Sequence, residues 1–327
     1  MTRGISILIC TYNGSSKLKE TLDYIKKLKF DHPWELIVVD NNSTDNTFDF
    51  VGQELNESVL DFSIYQCNTP GKMNAFWLGV RNAKYAFVLD CDDDNWLFPD
   101  YLQKAFEILE ANKAIGALGG KGIPHNINDF PSWFEIYQST YAVGPQGREN
   151  GNLGKNGELY GAGTFFRKDI LEKWSELGFT NFLSCRKGTE LTSGGDTELC
   201  EVVKLFGYEV WYEESLQFFH DIEDRKLTED YLFKLKKGIA SSFPVLYAYK
   251  FKNHKSFSPI RAELRGVNYQ HIKGYVLSSI IYFIKRDLKN KVLMINYRQL
   301  IRSYFKNLKE TERVFLQLKK HSKIWQE

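Results

Sequence analysis

The 327-residue sequence lacks the patterns that mark several common classes of protein. Its five cysteines are scattered and include no C-x-x-C pair, so reduced thiols in a cytosolic protein are the simplest interpretation. Neither G-x-G-x-x-G nor G-x-x-x-x-G-K-[ST] occurs, which argues against a dinucleotide site or a P-loop. The longest apolar stretch, residues 275–284, is about half of what spans a bilayer. The first residues show no signal-peptide pattern, so we expect a cytoplasmic protein.

Charge is distributed unequally along the chain. Residues 251–327 hold 17 Lys and Arg against 5 Asp and Glu, a net charge of +12, whereas residues 1–250 carry a net charge of −10. Apolar residues recur at three-to-four spacing in residues 276–288 and 300–318, which predicts basic amphipathic helices. Such helices suit an anionic membrane surface and would make the protein peripheral at the inner face of the cell membrane.

A second interpretation of residues 251–327 is a helical subdomain that packs on the rest of the chain and leaves its charges in water. Both interpretations stay open at the level of sequence. No nucleic-acid-binding motif accompanies the basic residues, so we expect no nucleic-acid partner.

The first 120 residues alternate between strand and helix patterns. This βαβα order predicts an α/β fold with a doubly wound, mostly parallel sheet. The predicted strands are residues 5–10, 35–40, 62–65 and 85–89, and the predicted helices are residues 17–28, 43–55, 72–83 and 99–112.

An acidic cluster follows the fourth of these strands. The apolar run 86–89 leads directly into Asp90, Asp92, Asp93 and Asp94. Ligands of open α/β sheets bind at the carboxyl ends of the strands, and neighbouring carboxylates repel one another unless a cation lies among them. Hard oxygen ligands suit Mg²⁺ or Mn²⁺. The alternative is a solvated acidic turn in which Asp94 or Asn95 caps the next helix.

Short polar loops follow the first two strands, at residues 11–14 and 40–45. Both could hydrogen-bond a nucleotide base and ribose, and Asp40 could accept from a ring N–H such as uracil or guanine presents. The alternative is ordinary turn chemistry, because Asn, Gly, Asp and Ser are frequent in turns.

Four motifs in order, at residues 9–13, 38–45, 71–75 and 89–93, together resemble the family 2 glycosyltransferases with the GT-A fold. The resemblance covers roughly residues 4–221. It implies an inverting hexosyltransferase that uses Mn²⁺ or Mg²⁺ and a nucleotide-diphosphate sugar, with a UDP-sugar favoured. The acceptor would be a hydroxyl of a glycan or a lipid-linked glycan, in the synthesis of a surface polysaccharide.

The resemblance also divides the chain. Residues 1–245 would form the GT-A catalytic domain, with the nucleotide-sugar part at about 1–120 and the acceptor part at about 121–245. Residues 246–327 would form a basic helical C-terminal region, in agreement with a composition break near residues 244–259.

Roles for single residues follow from the same resemblance. Lys72 would lie near the nucleotide or diphosphate, Asp90 near the ribose, and Asp92 at the metal. The segment 161–167, with Gly163, would line the donor-sugar and acceptor pocket; its alternative is a bulged strand. The nucleoside would be held by Thr11, Asn13 and Asp40.

Two downstream residues complete the predicted site. The family places a Glu-Asp pair at residues 195–196 with the Asp as general base, and only Asp196 matches because residue 195 is glycine. Asp196 could instead be a helix N-cap. His220 resembles a histidine that joins the metal or the diphosphate in related enzymes, although a lone histidine is more often structural.

Two other functions stay open at this stage. A nucleotidyltransferase also uses carboxylates, Mg²⁺ and an α/β sheet, but it would usually show a glycine-rich phosphate loop near its first strand. A transferase domain that has lost activity and only binds sugar is the second alternative, because Gly195 stands where the family has Glu.

Overall fold

The computed structural model describes residues 2–56, 58–126, 128–185 and 193–324, without the side chains of residues 251–253. A nine-stranded sheet with strand order β3-β2-β1-β4-β8-β6-β9-β5 forms its centre, and β7 pairs with β9 off this path. The first four strands pair in parallel, as the sequence predicts. They are β1 (Thr2–Thr11), β2 (Trp34–Asp40), β3 (Phe62–Gln66) and β4 (Tyr85–Cys91).

The second half of the sheet is mixed. β8 runs antiparallel to both of its neighbours, β4 and β6, whereas β6 and β9 pair in parallel. His220 is the next-to-last residue of β9, which spans 13 residues. The strands are β5 (Asn95–Leu97), β6 (Ile115–His125), β7 (Gly151–Asn152), β8 (Thr164–Arg167) and β9 (Glu209–Asp221).

Helices cover both faces of the sheet, which explains why its central strands are apolar without alternation. In β1, Ile7 and Ile9 pack with α1, α2 and α4, whereas Leu8 points to the other face and packs with α3, α6 and α7. The helices preceding the C-terminal region are α1 (Leu18–Ile25), α2 (Thr47–Asn56), α3 (Lys72–Asn82), α4 (Tyr101–Ala111), α5 (Phe134–Tyr137), α6 (Lys168–Glu176) and α7 (Gly195–Leu205). The predicted α/β fold with a mostly parallel sheet is confirmed.

Three helices complete the chain: α8 (Glu229–Leu246), α9 (Phe257–Lys285) and α10 (Leu288–Lys320). Phe257, Ile260, Phe315 and Leu318 belong to the same buried cluster as side chains of the sheet. The C-terminal helices therefore pack on the core at this end, as the subdomain interpretation proposes. No helix within the described residues is both long and apolar enough to cross a membrane.

Phe315 tests how firmly α10 is joined to the core. It is 1% exposed, so Phe315→Ala should leave a cavity and lower the free energy of unfolding by about 3–5 kcal/mol. Phe305 lies on the same helix and is 69% exposed, so Phe305→Ala is a matched control expected to change stability by less than about 0.5 kcal/mol. Urea unfolding measures both. Equal effects would show that α10 does not pack as described.

Candidate active site

The predicted site residues meet at the carboxyl end of the parallel strands. Thr11 ends β1 and is the pairing partner of Asp40, which ends β2. Asp90 is the next-to-last residue of β4, which pairs with β1. Because these three strands are adjacent, residues far apart in sequence come together at one edge.

Lys72 links two of the carboxylates. It is the first residue of α3, and its Nζ lies 3.1 Å from Asp90 Oδ2 and 2.6 Å from Asp92 Oδ1. Burial opposes the charge on Lys72, but the two carboxylates hold its pKa well above the ordinary value. Burial likewise opposes ionisation of Asp92, yet Lys72 keeps the pKa of Asp92 below its usual range.

Asp90 differs from Asp92. Burial raises the pKa of Asp90 to about 7, and the attraction of Lys72 offsets this only in part because Asp92 and Asp196 add repulsion. Its Oδ1 is buried and has no hydrogen-bond partner among the described residues. Lys72 thus holds Oδ2 of Asp90. A donor group or a cation of a ligand could bind Oδ1.

Asp196 lies beside this pair. Its Oδ2 accepts from the Gly161 backbone N–H at 3.0 Å and its Oδ1 accepts from the Thr197 N–H at 2.9 Å. A Cβ built at Gly161 would lie 3.0 Å from Asp90 Oδ2 and 3.6 Å from Lys72 Nζ. Gly161 thus marks the point where three charged side chains converge, because any larger residue would fill that space.

The capping interpretation of Asp196 is not what the structure shows. The N-cap of α7 is Gly194, with a φ of 110°, and Asp196 is the second residue within the helix. Its carboxylate is held by backbone N–H groups that leave further lone pairs on both oxygens.

Gly163, predicted to line the donor pocket, has a packing role. Its φ of 68° and its close approach to the core favour glycine, since an added Cβ would lie 2.7 Å from the Tyr101 hydroxyl and from Phe218. The Tyr101 hydroxyl donates to the Gly163 carbonyl at 2.5 Å. Gly161, two residues earlier in the same segment, is the glycine that adjoins the charged side chains. A donor contact of Gly163 stays a prediction.

His220 lies against Asp94. Its Nε2 is 3.2 Å from Asp94 Oδ1, and Lys226 Nζ is 2.9 Å from Asp94 Oδ2. Burial opposes ionisation of Asp94, but Lys226 and His220 hold its pKa well below the ordinary value. Asp94 and Asn95 do not cap the next helix as the alternative for the acidic turn supposed, because β5 follows and Asp100 is the N-cap of α4.

Lys226 was not found from the sequence. It follows β9 and reaches back across 132 positions to Asp94, and no local pattern indicates such a pairing.

The residues predicted to hold the nucleoside lie in two loops that are joined by hydrogen bonds. The Thr11 hydroxyl donates to Asp93 Oδ2 at 2.6 Å. Asn13, at a φ of 51°, accepts from the Thr44 N–H at 2.8 Å, and Asp40 Oδ1 accepts from the Ser43 N–H at 3.2 Å. The bond between Asn13 and Thr44 joins the loops at residues 11–14 and 40–45, and the bond from Thr11 joins the first loop to Asp93. Contacts of Thr11, Asn13 and Asp40 with a nucleoside stay predictions.

The carboxylates fit a divalent cation that is shared with a ligand. Within the described ranges, no three His, Cys, Asp or Glu side chains are grouped so as to hold a metal ion. Mg²⁺ sites in proteins, however, commonly take one or two carboxylates and complete the coordination with water and substrate phosphates. Asp92, 28% exposed, and the unpartnered Oδ1 of Asp90 supply hard oxygen atoms of this kind.

Glu198 is a buried polar centre that the sequence did not reveal. It lies on α7 two residues after Asp196 and accepts from the backbone N–H groups of Phe182 and Leu183, from Asn181 Nδ2 and from the Tyr249 hydroxyl. Burial raises the pKa of Glu198 to about 7 against the effect of these donors. It joins the first turns of α7 to segment 181–183 and to the 3₁₀ helix Tyr247–Asn253.

Comparison with known proteins assigns the family. The model of "Glycosyl transferase family 2" matches residues 6–175, just over half of the chain. The chain belongs to glycosyltransferase family 2. This confirms the family indicated by the four ordered motifs.

Relatives in the same family are longer. The poly-β-1,6-N-acetyl-D-glucosamine synthase of Staphylococcus epidermidis is 25% identical over 210 residues, which are 64% of this chain and 48% of that protein. The synthase of the same name from Staphylococcus aureus is 26% identical over 168 residues, 51% of this chain and 40% of that protein. The chain thus spans about half the length of these relatives or less.

Solved structures of similar fold cover nearly the whole chain. The mannosyltransferase PcManGT from Pyrobaculum calidifontis, in complex with GDP-Man and Mn²⁺, gives a TM-score of 0.59 at 16% identity, over 94% of this chain and 88% of that one. S. aureus TarS 1–349, in complex with UDP-GlcNAc, gives 0.53 at 17% identity, over 94% and 92%. At these identities the similarity establishes the fold, which is the predicted GT-A fold.

The Glu198 centre yields a stability prediction for this glycosyltransferase. Glu198→Ala leaves four donors without their acceptor, so we expect the free energy of unfolding to fall by about 3–5 kcal/mol. Tyr249→Phe removes one of these bonds and should cost about 1 kcal/mol. Urea denaturation distinguishes the two. Similar losses would show that Glu198 is not the shared acceptor.

Asp90 predicts a pH dependence of stability. In the folded protein the pKa of Asp90 is about 7, whereas the ordinary aspartate pKa is 3.8. The folded state therefore binds a proton at Asp90 more tightly than the unfolded state does. The stability that this binding contributes is complete below pH 3.8 and is lost as the pH rises to 7. The asparagine of Asp90→Asn cannot ionise. Between pH 5 and pH 8 the free energy of unfolding of the variant should therefore rise relative to that of the wild type, by about a few kcal/mol at most. Urea unfolding along this range measures the difference. Parallel pH profiles would contradict it.

Proposed function

We propose that this protein transfers a sugar from a nucleotide-diphosphate sugar to a hydroxyl of a glycan or lipid-linked acceptor, with Asp196 as the general base. The observation that supports this best is the convergence of Asp196, Lys72 and Asp90 around Gly161 at the carboxyl edge of the sheet. A proton acceptor and a cationic group suited to a diphosphate thereby lie within a few ångströms of each other.

The proposed reaction is a single displacement with inversion. The Asp196 carboxylate takes the proton of the acceptor hydroxyl as that oxygen bonds to the anomeric carbon of the donor sugar. The bond from the anomeric carbon to the diphosphate breaks, and the nucleoside diphosphate leaves with the electron pair. Backbone N–H groups of Gly161 and Thr197 hold the carboxylate still during this step, which favours a productive geometry.

Donor binding is assigned to Lys72, Asp90 and the strand-end loops at the same edge. Asp40 would accept from a ring N–H of the base, and Thr11 and Asn13 would contact the nucleoside. Lys72 would contribute positive charge next to the diphosphate, and Asp90 would accept from the ribose with its unpartnered Oδ1.

A Mn²⁺ or Mg²⁺ ion fits this arrangement. Asp92 would hold it, with His220 nearby on the same side, and the donor diphosphate would complete the ligand set. When bound, such a cation neutralises the charge that develops on the leaving diphosphate. The Mn²⁺ in the PcManGT complex supports divalent metal use in this fold.

The names of the similar proteins suggest which donor to test first. Both synthases are named for poly-β-1,6-N-acetyl-D-glucosamine, and the TarS structure contains UDP-GlcNAc. We therefore propose UDP-N-acetylglucosamine as the first donor to test and surface polysaccharide synthesis as the setting. The PcManGT complex contains GDP-Man, so a GDP-sugar is the comparison donor.

The glycine at position 195 does not argue for a domain without activity. A Cβ at Gly195 would lie 2.8 Å from both Cys185 Sγ and Met73 Sδ, so close packing disfavours a larger residue there. Asp196 keeps its ordered carboxylate without a glutamate beside it.

We propose further that the basic residues 251–327 attach the enzyme to an anionic membrane surface.

Asp92→Asn tests the metal assignment. The change removes one charge at constant size, so donor turnover with Mn²⁺ should fall by two or more orders of magnitude, about 3 kcal/mol of transition-state stabilisation. Donor hydrolysis measured with and without EDTA provides the readout, and Asp61→Asn, at an exposed carboxylate elsewhere, is the control. Full activity of the variant, or of wild type in EDTA, would refute the assignment.

Asp196→Asn tests the general base. Transfer to an acceptor should be lost, because the amide cannot take the hydroxyl proton, whereas affinity for UDP should change little since the base acts on the acceptor. The single amide oxygen can accept from only one of the Gly161 and Thr197 N–H groups, so the melting temperature should fall slightly while the protein stays folded. Retained transfer would remove Asp196 from the mechanism.

A further inference from the structure

The outer face of α9 is apolar and uncovered. Seven large side chains along its second half are 39% to 73% exposed, and Phe283 and Ile284 near its end are the most exposed of them. We call this set the α9 stripe. It consists of Tyr269, Ile272, Val276, Leu277, Ile280, Phe283 and Ile284.

Helical periodicity places the α9 stripe on one side. At about 100° per residue its members fall within less than half of the helix circumference. The opposite side of α9 faces the bundle: Asn268 and Ser278 are buried, and a Cβ at Gly274 would lie 2.5 Å from the Tyr297 ring on α10. The stripe is therefore not the side by which α9 packs on the protein.

The charged residues along the α9 stripe, from Arg265 to Arg286, are all positive. Between Leu264 and Asp287 the sequence has no Asp or Glu, but it has Arg265, Lys273, Lys285 and Arg286. Lys273 Nζ lies 4.5 Å from the centre of the Tyr269 ring, and the Arg286 guanidinium lies 5.2 Å from that of Phe283. These long cations lie over the apolar side chains, as they do where a helix lies in a membrane interface.

The charge pattern selects the occupant of this face. In a two-fold dimer the same patch would meet itself and bring the cations of both copies together, and residues 265–286 supply no carboxylate to pair with them. An anionic lipid surface offers both an apolar layer and the opposite charge. We propose that the α9 stripe is the surface by which this protein lies on an anionic membrane.

The position of the stripe relative to the site fits this role. Leu288 and Val292, just after the end of α9, pack in one cluster with Phe134 and Tyr137 of α5. The same cluster contains Ile222, two residues after His220. The end of the stripe thus lies beside the segment that leaves the active-site edge. The proposal rests on the proposed function in that a lipid-linked acceptor would be presented at this edge.

Vesicle co-sedimentation of the full chain tests the proposal. The double variant Leu277→Gln/Phe283→Gln removes two apolar side chains from the stripe, so its partition onto phosphatidylglycerol vesicles should fall by roughly tenfold or more. The matched control, Phe305→Gln/Leu316→Gln, changes two exposed apolar residues of α10 and should bind like wild type. Wild type should bind phosphatidylcholine vesicles poorly, and salt should weaken its binding to phosphatidylglycerol.

A second variant separates charge from apolar contact. Lys285→Glu/Arg286→Glu keeps every member of the stripe and should reduce binding at low salt while making it less dependent on salt. All substituted side chains are exposed, so melting temperatures should stay close to that of wild type.

Three results would overturn the proposal. They are equal loss in the stripe and control variants, equal binding to neutral and anionic vesicles, and a dimer in light scattering that Leu277→Gln/Phe283→Gln dissociates. UDP-N-acetylglucosamine binding and transfer to a soluble acceptor, measured on the same variants, report on the proposed function separately. If a variant retains donor binding and transfer but loses vesicle binding, the stripe serves only to attach the protein to the membrane.

Discussion

The site depends on how buried negative charge is compensated. Asp90 lies near the end of β4 and Asp92 and Asp94 follow it, and each would be costly to bury as an unpaired anion. Lys72 lies between Asp90 and Asp92, while Lys226 and His220 hold Asp94. The compensation is incomplete because Asp90 retains an unpartnered oxygen. The chain alone can therefore hold this edge together, and it keeps a remaining demand for positive charge or donors that a nucleotide-sugar and its cation can meet.

The sequence predicted most of what lies within one strand–loop–helix unit. Strand ends after apolar runs located Thr11, Asp40 and Asp90, because a parallel sheet brings such ends to one edge. It could not locate Lys226 or Glu198, and within segment 161–167 it singled out Gly163 rather than Gly161. Their roles arise from contacts across tens of residues, and a lysine after β9 or a glutamate on an apolar helix looks the same in sequence whether it is paired or solvated.

The C-terminal helices show why an amphipathic pattern alone leaves two interpretations open. Phe257, Ile260 and Phe315 are buried against the sheet cluster, whereas Ile280 and Phe283 face outward, although all follow the same three-to-four spacing. Periodicity reports which residues share a side of a helix, but it does not report what covers that side. Here one helix, α9, packs on the core with its first half and leaves only the outer side of its second half exposed.

The hydrogen bond between Tyr249 and Glu198 bears on how this enzyme could be recombined with others. A chimera that joins residues 1–245 to foreign helices would keep every predicted site residue. It would nevertheless lose the phenol that the buried carboxylate of α7 requires and the apolar side chains that close the core. An exchange made at the composition break would therefore separate the C-terminal helices from a buried cluster that they share with the sheet.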